Sequence, residues 1–389
     1  MIYDFDTLPD RRATESRKWL NFDDGVLPLW IADMDFRSPQ PVIRALHQRV
    51  EHGVFGYPVG SLPGDLPELR RLIVERLAER YDWHIQPDDI LFQAGVGGAY
   101  KLACLAMAST SEAVLVQTPV YSPILEAAKT TGVLGREMEL TRSVDGTYGV
   151  DYDSFETAVR QPTRLFLLCN PHNPVGRVFC QEELERMAEL CLRHGVVICS
   201  DEIHCELLYS GQRHIPIASL DPEIACQTIT LMSPSKTFNL AGLKFSFAIV
   251  QNPELKQRYL HAGHGMAGWA NLMGITAAQA AYRHGQEWLD QLLAYLEANR
   301  AYLDQFVQEK LPGVTMVKPE GTYLAWLDCR GAGLAGDLCE FFVKRARVAL
   351  GDGREFGKGG EGFARLNFGC PRSVLEEALE RMKVALGER

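Results

Sequence analysis

Ser233-Pro234-Ser235-Lys236-Thr237-Phe238-Asn239-Leu240-Ala241-Gly242-Leu243-Lys244 is the stretch that decides how the rest of the chain is read. It sets a lysine among small hydroxyl residues, directly after the apolar run Ile229-Thr230-Leu231-Met232. That run is apolar and β-branched and stops at a Ser-Pro step, as a short buried strand does. A lysine in such a place sheds part of its hydration, which lowers its pKa and frees the amine to attack carbonyls. The hydroxyls of Ser233 and Ser235, with nearby backbone N–H groups, suit a phosphate. A lysine beside a phosphate cradle is what pyridoxal phosphate needs, because a Schiff base holds one end of that cofactor and its phosphate holds the other. The competing reading is an exposed lysine in a polar loop.

Composition narrows the classes. The length of 389 residues allows a large core, with a prior of roughly two to three domains. With 46% hydrophobic and 23% charged residues the chain is ordinary for a globular protein. A net charge of -10 argues against a nucleic-acid partner, which asks for a basic face. No segment approaches the unbroken apolar length of a membrane span. The start, Met1-Ile2-Tyr3-Asp4-Phe5-Asp6, lacks the basic-then-apolar order of a signal peptide. The ten cysteines are scattered without a C-x-x-C pair, which fits reduced thiols and a cytoplasmic location.

Periodicity predicts helices over 67–80, 182–194 and 287–310, the last long enough to bridge two domains. Short apolar runs at 90–93, 113–117, 164–169, 196–199, 228–232 and 245–250 read as strands. Most lie a helix-length apart, the signature of crossover units and a mainly parallel sheet. Runs at 314–318, 323–327 and 364–368 suggest a smaller α+β unit. The expected architecture is α/β. It has an arm and part of a small domain in 1–50, a large domain in 51–285 and a small α+β domain in 286–389.

In a parallel sheet ligands gather at the carboxyl ends of the strands. After 164–169 comes Asn170-Pro171-His172-Asn173-Pro174-Val175-Gly176, a rigid turn in which Asn173 offers an amide donor suited to a phenolic oxygen. Plain turn chemistry is its alternative. After 196–199 comes Asp201, an expensive residue at a buried strand end unless a cation such as a protonated pyridine nitrogen answers it; a helix N-cap is the other possibility. His204 adjoins the ring or fills the layer beside it. Gly97 and Gly98 precede helix-forming residues and let backbone N–H groups approach a phosphate, though a glycine turn before a helix is common. Tyr121 stacks on a planar ring or packs in the core. Arg365 stands in an apolar strand, where its fork matches an α-carboxylate or a structural acid. The glycine-rich 351–362 stretch reads as a mobile flap beside it. His261 and His264 have a metal-like spacing but no third ligand, so no metal is expected.

In this order the residues resemble the fold-type I pyridoxal-phosphate enzymes of the class I/II aminotransferase superfamily, over essentially the whole chain. The match is nearest to its cystathionine β-lyase-like branch of cysteine-sulfur lyases. The strings that carry it are Pro28-Leu29-Trp30-Ile31-Ala32-Asp33-Met34-Asp35-Phe36, Ser200-Asp201-Glu202-Ile203-His204, Ser233-Pro234-Ser235-Lys236-Thr237-Phe238-Asn239 and Arg365-Leu366-Asn367. The resemblance implies Lys236 as the Schiff-base lysine, Asp201 on the pyridine nitrogen, Asn173 on the ring hydroxyl, and Tyr121 and His204 beside the ring. It implies Gly97, Gly98, Ser233, Ser235 and Lys244 around the phosphate, joined by Tyr57 from a partner subunit in a homodimer. Arg365, Tyr57 and Asp35 are implied on the substrate side. Aspartate-type aminotransferases carry a tyrosine where His204 stands, and many carry an arginine where Lys244 stands. The implied activity is therefore carbon–sulfur β-elimination from L-cystathionine or a related cysteine S-conjugate, with an aminotransferase as the alternative.

Overall fold

The computed structural model describes residues 1–60, 64–160, 162–264, 268–334 and 336–387. Its centre is a seven-stranded sheet built from β1 (Ile90–Gln93), β2 (Ala113–Thr118), β3 (Leu134–Glu139), β4 (Thr163–Cys169), β5 (Val197–Asp201), β6 (Thr228–Met232) and β7 (Ser246–Ile249). The spatial order is β1-β7-β6-β5-β4-β2-β3. Only β7 runs antiparallel to its neighbours, so the expected mainly parallel sheet is present with one reversed strand.

Strand β4 shows why the sheet lies at mid-depth. Its alternate residues Leu165, Leu167 and Cys169 join one apolar cluster with helix α1 (Val96–Met107), while Phe166 and Leu168 join a second with helix α2 (Gln181–His194). A strand buried on both faces needs apolar residues at every position, which is why this run reads as continuous rather than alternating. On one side Ala99, Ala103 and Cys104 let α1 lie close; on the other α2 presents Leu184, Met187, Ala188 and Cys191.

A second sheet follows, antiparallel, with β8 (Thr315–Met316), β9 (Leu324–Asp328), β10 (Gly351–Asp352) and β11 (Phe363–Asn367) in the order β8-β9-β11-β10. Near the start of the chain Leu27–Pro28 pairs in parallel with Val348–Ala349, tying the N-terminal arm to the C-terminal part. Between the sheets runs α3 (Gln286–Lys310), 25 residues and about 37 Å long at 1.5 Å per residue. Its Trp288, Leu292, Leu296 and Phe306 share one core with Leu207 and Phe238 from around the large sheet and Leu324 and Leu366 from the small one. This is the helix read in the sequence over 287–310.

Candidate active site

The carboxyl ends of β1, β2, β4, β5 and β6 emerge along one edge of the large sheet, and the start of β7 meets them there. Each end hands over to a loop bearing one of the singled-out residues. β4 ends in the turn carrying Asn173, whose shape depends on Gly176: its φ is +76°, and a Cβ there would stand 2.6 Å from Pro319 Cβ. The turn in turn fixes Tyr121, because the Tyr121 amide donates to the Asn173 carbonyl at 3.0 Å. Arg365, on β11 of the other sheet, donates from Nη1 to Asn173 Oδ1 at 3.0 Å and from Nη2 to the Trp30 carbonyl at 2.9 Å. The two sheets and the N-terminal arm therefore meet at Arg365.

Electrostatically the pocket is unfinished. Asp201 is buried, and among the described residues its carboxylate accepts only from the Ile203 amide, at 3.1 Å. Burial pushes its pKa up to about 7, against the lowering effects of that hydrogen bond and of the Lys236 charge. Burial, then the charge of Arg365, push Lys236 down to about 8. The Lys236 amine donates to the Ala32 carbonyl, which also accepts from the Tyr323 hydroxyl at 3.0 Å. Arg365 is pushed down to about 10 by burial; no carboxylate among the described residues pairs with it, and its Nε has no partner. Burial, then the Lys236 and Arg365 charges, hold His204 well below the usual histidine range, so its ring is neutral, with Nδ1 unpartnered. A buried acid without a cation and a buried guanidinium without an anion are each costly. Both call for a ligand.

Other predicted residues fall at the same edge. Ser233 caps the turn holding Lys236: its hydroxyl accepts from the Ser235 amide at 3.0 Å and donates to the Phe245 carbonyl at 2.6 Å. Ser233 thus shapes the cradle, and Ser235 is the hydroxyl left over for a phosphate. Lys244 is exposed, in a left-handed conformation, with its charge felt at Lys236. Gly97 and Gly98 open α1, but the Gly98 amide already donates to the Gly95 carbonyl at 3.2 Å, so of the two the Gly97 amide is the one left for a phosphate; a Cβ at Gly98 would meet nothing within 4 Å.

Two further readings change. Asp35 is not available to a substrate: it is 1% exposed, with its oxygens held by Lys18 and Arg11 at 2.7 Å each and by Trp19 Nε1 at 2.9 Å. It anchors the arm whose carbonyls serve the pocket. Tyr57, expected in a partner's site rather than its own, is 94% exposed in this chain and edge-on to Trp269. The 351–362 stretch is a packed turn rather than a loose flap, since a Cβ at Gly353 would stand 2.1 Å from the Gly360 carbonyl oxygen. Sequence reading also missed contributors. Tyr100, buried with its hydroxyl unpartnered and electrostatically coupled to Asp201, looked like one more apolar helix residue. Tyr323 looked like strand core, and the carbonyls of Trp30 and Ala32 have no residue-type signal at all.

The donor set suits pyridoxal phosphate: a carboxylate short of a cation, a lysine of lowered basicity, an Asn173 side chain whose oxygen is taken by Arg365 and whose Nδ2 has no acceptor among the described residues, and a glycine amide at a helix start. The model of the family described as aminotransferase class I and II matches residues 24–382. The chain belongs to that family. Within it, the chain is 39% identical to cystathionine beta-lyase PatB of Bacillus subtilis (strain 168), over 98% of this chain and 99% of that one. The crystal structure of cystalysin from Treponema denticola, which contains pyridoxal 5'-phosphate, superposes with a TM-score of 0.94 at 33% identity, covering 100% of both chains. A pyridoxal-phosphate-bound C-S lyase from Staphylococcus hominis gives a TM-score of 0.93 at 32% identity, covering 99% of this chain and 98% of that one.

Proposed function

We propose that this protein is a pyridoxal-phosphate-dependent carbon–sulfur β-lyase, cleaving L-cystathionine or a related cysteine S-conjugate to a thiol, pyruvate and ammonia. The observation that carries the reading is the unanswered buried charge at one sheet edge: among the described residues Asp201 has no cation partner and Arg365 no anion partner, and both charges are felt at Lys236. Bound there, pyridoxal phosphate supplies an electron sink for the substrate α-carbon. Asp201 would hold the pyridine nitrogen protonated, and Asn173 would donate to the ring hydroxyl. Tyr121 and His204 would lie beside the ring, with Ser235, Lys244 and the Gly97 amide on the phosphate and Gly98 giving it room. Arg365 has five N–H donors, of which the protein takes two, so Nε and the remaining Nη hydrogens are left for the substrate carboxylate. Lys236 Nζ takes the α-proton, a role worth about 10²–10⁴-fold, and the Ala32 carbonyl receives the ammonium so formed. Loss of the thiolate from the β-carbon follows.

The names of the full-length relatives, and His204 in place of a phenol, support elimination over transamination. L-Cystathionine should release homocysteine and pyruvate in equal amounts without any added keto acid. Turnover that stops after one cycle and resumes with a keto acid would make the protein an aminotransferase.

The same proposal includes a homodimer in the cytoplasm. Tyr57, Phe55 and Trp269, all more than half exposed, support an apolar contact through which Tyr57 reaches a partner's phosphate. The ten cysteines, all unpaired, support a reducing compartment. The division into 1–50, 51–285 and 286–389 is supported by the two sheets and by the pairing of Leu27–Pro28 with Val348–Ala349.

A further inference from the structure

Every carbonyl of the arm from Trp30 to Met34 accepts from a side chain. Arg365 takes that of Trp30 at 2.9 Å, Asn367 those of Ile31 and Asp33 at 2.6 and 2.7 Å, and Asn239 that of Met34 at 2.9 Å. The Ala32 carbonyl is shared between two donors, the Lys236 amine and the Tyr323 hydroxyl, the latter at 3.0 Å. Tyr323 is 1% exposed, and its hydroxyl has no other hydrogen-bond partner among the described residues. Its ring is confined as well. A Cβ at Gly369 would stand 3.3 Å from the ring edge, and His204 lies edge-on at 5.9 Å between centres. The hydroxyl therefore stays on Ala32 whatever Lys236 does.

Lys236 cannot stay there. To bond the cofactor or take a proton from the substrate, its amine must leave a carbonyl belonging to a residue only 7% exposed. A buried acceptor left bare is costly. Two donors on one oxygen also draw on the same electron density, so each bond is weaker than it would be alone. The flanking carbonyls already fix the course of the arm, and the hydroxyl is not needed to aim this one. We propose that Tyr323 is a positioning residue that makes Lys236 releasable: its hydroxyl shares the Ala32 carbonyl with the amine and keeps that oxygen satisfied once the amine has left. This role rests on Lys236 being the point where the cofactor attaches, and it gives the lysine a resting place that it can quit and regain.

The test is Tyr323→Phe, read first on the apoprotein. Labelling with acetic anhydride, quantified on the Lys236 peptide by mass spectrometry, follows the unprotonated amine. Phenylalanine leaves in place Arg365, Asp33, Asp201, Lys244 and His204, the charged and titratable groups coupled to Lys236. A change therefore reports the hydroxyl. No longer sharing its acceptor, the amine should hold its proton harder, and labelling at pH 7 should slow roughly two- to twelvefold, the net worth of a neutral hydrogen bond. Binding of pyridoxal phosphate, which draws Lys236 off the carbonyl, should weaken roughly 5- to 150-fold, the cost of leaving a buried acceptor bare. Binding of pyridoxamine phosphate, which has no aldehyde for the lysine, should be unchanged and shows that the variant keeps its pocket. Unchanged labelling would leave Tyr323 as core, and faster labelling would make it the residue that aims the carbonyl; either overturns the proposal. Equal weakening of both cofactor forms overturns it too, because the hydroxyl would then support the pocket at large. If the cofactor attaches to another lysine while labelling of Lys236 still slows, the attachment reading fails and the shared carbonyl stands.

Discussion

Replacing Arg365 by lysine separates charge from shape at the point where both sheets and the arm converge. The guanidinium holds Asn173 Oδ1 and the Trp30 carbonyl at 3.0 and 2.9 Å while keeping donors free. A lysine keeps the positive charge but offers three donors from a single point, so it cannot satisfy both protein oxygens and grip a carboxylate with two parallel bonds. Losing one charge-assisted hydrogen bond to the substrate costs about 1.5–3 kcal/mol. At about 1.4 kcal/mol per factor of ten, KM for L-cystathionine should rise roughly 10- to 150-fold. The turnover number should change far less, because Lys236 and Asp201 remain in place. Steady-state pyruvate formation gives both constants, and the visible absorbance of the purified variant reports whether cofactor is retained. Thermal unfolding checks that the Trp30 and Asn173 contacts have not taken the fold with them. A KM within twofold of the parent, in a folded variant that keeps its cofactor, would refute the assignment and leave Arg365 as a structural residue.

Asp201 should leave a thermodynamic trace in the apoprotein. Its carboxyl holds a proton up to about 7 when folded, against about 3.9 unfolded, so stability should fall as pH rises from 4 to 7 and then level off. Over about three pH units at about 1.36 kcal/mol each, Asp201→Asn should be the more stable apoprotein by up to ~4 kcal/mol at pH 8 and equal to the parent near pH 4. Urea unfolding of both at the two pH values checks this, and a difference that ignores pH contradicts it. For Tyr57, co-refolding Lys236→Ala with Tyr57→Ala should yield hybrid dimers with one site intact at both positions, and activity above either parent. Hybrids that merely average their parents would place Tyr57 outside the partner's site.

Much of this fold was legible because buried parallel strands are written as unbroken apolar runs, and β1 and β6 were read with their observed bounds. β3 was not read, for a physical reason: as an edge strand it buries only Met138, and Leu134-Gly135-Arg136-Glu137-Met138-Glu139 has no apolar run to detect. At the site, residues whose chemistry is out of place in a strand end, such as Lys236, Asp201 and Arg365, announced themselves. Residues acting through ordinary features did not. Asp35 was placed on the substrate side by resemblance alone, and its actual partners, Lys18 and Arg11, are not marked by any motif in the sequence. Asn239 was quoted only as part of a motif. In the structure its side chain holds the arm through the Met34 and Phe36 carbonyls at 2.9 and 2.8 Å, keeping Ala32 within reach of Lys236.

The chemistry passes through the amine of Lys236, so the most direct measurement is where the cofactor attaches. The holoprotein is reduced with borohydride, digested and mapped by mass spectrometry. The phosphopyridoxyl mass should lie on the peptide containing Lys236, and the Lys236→Ala protein should carry none. The mass on another lysine, or no modified peptide from protein saturated with pyridoxal phosphate, would contradict it.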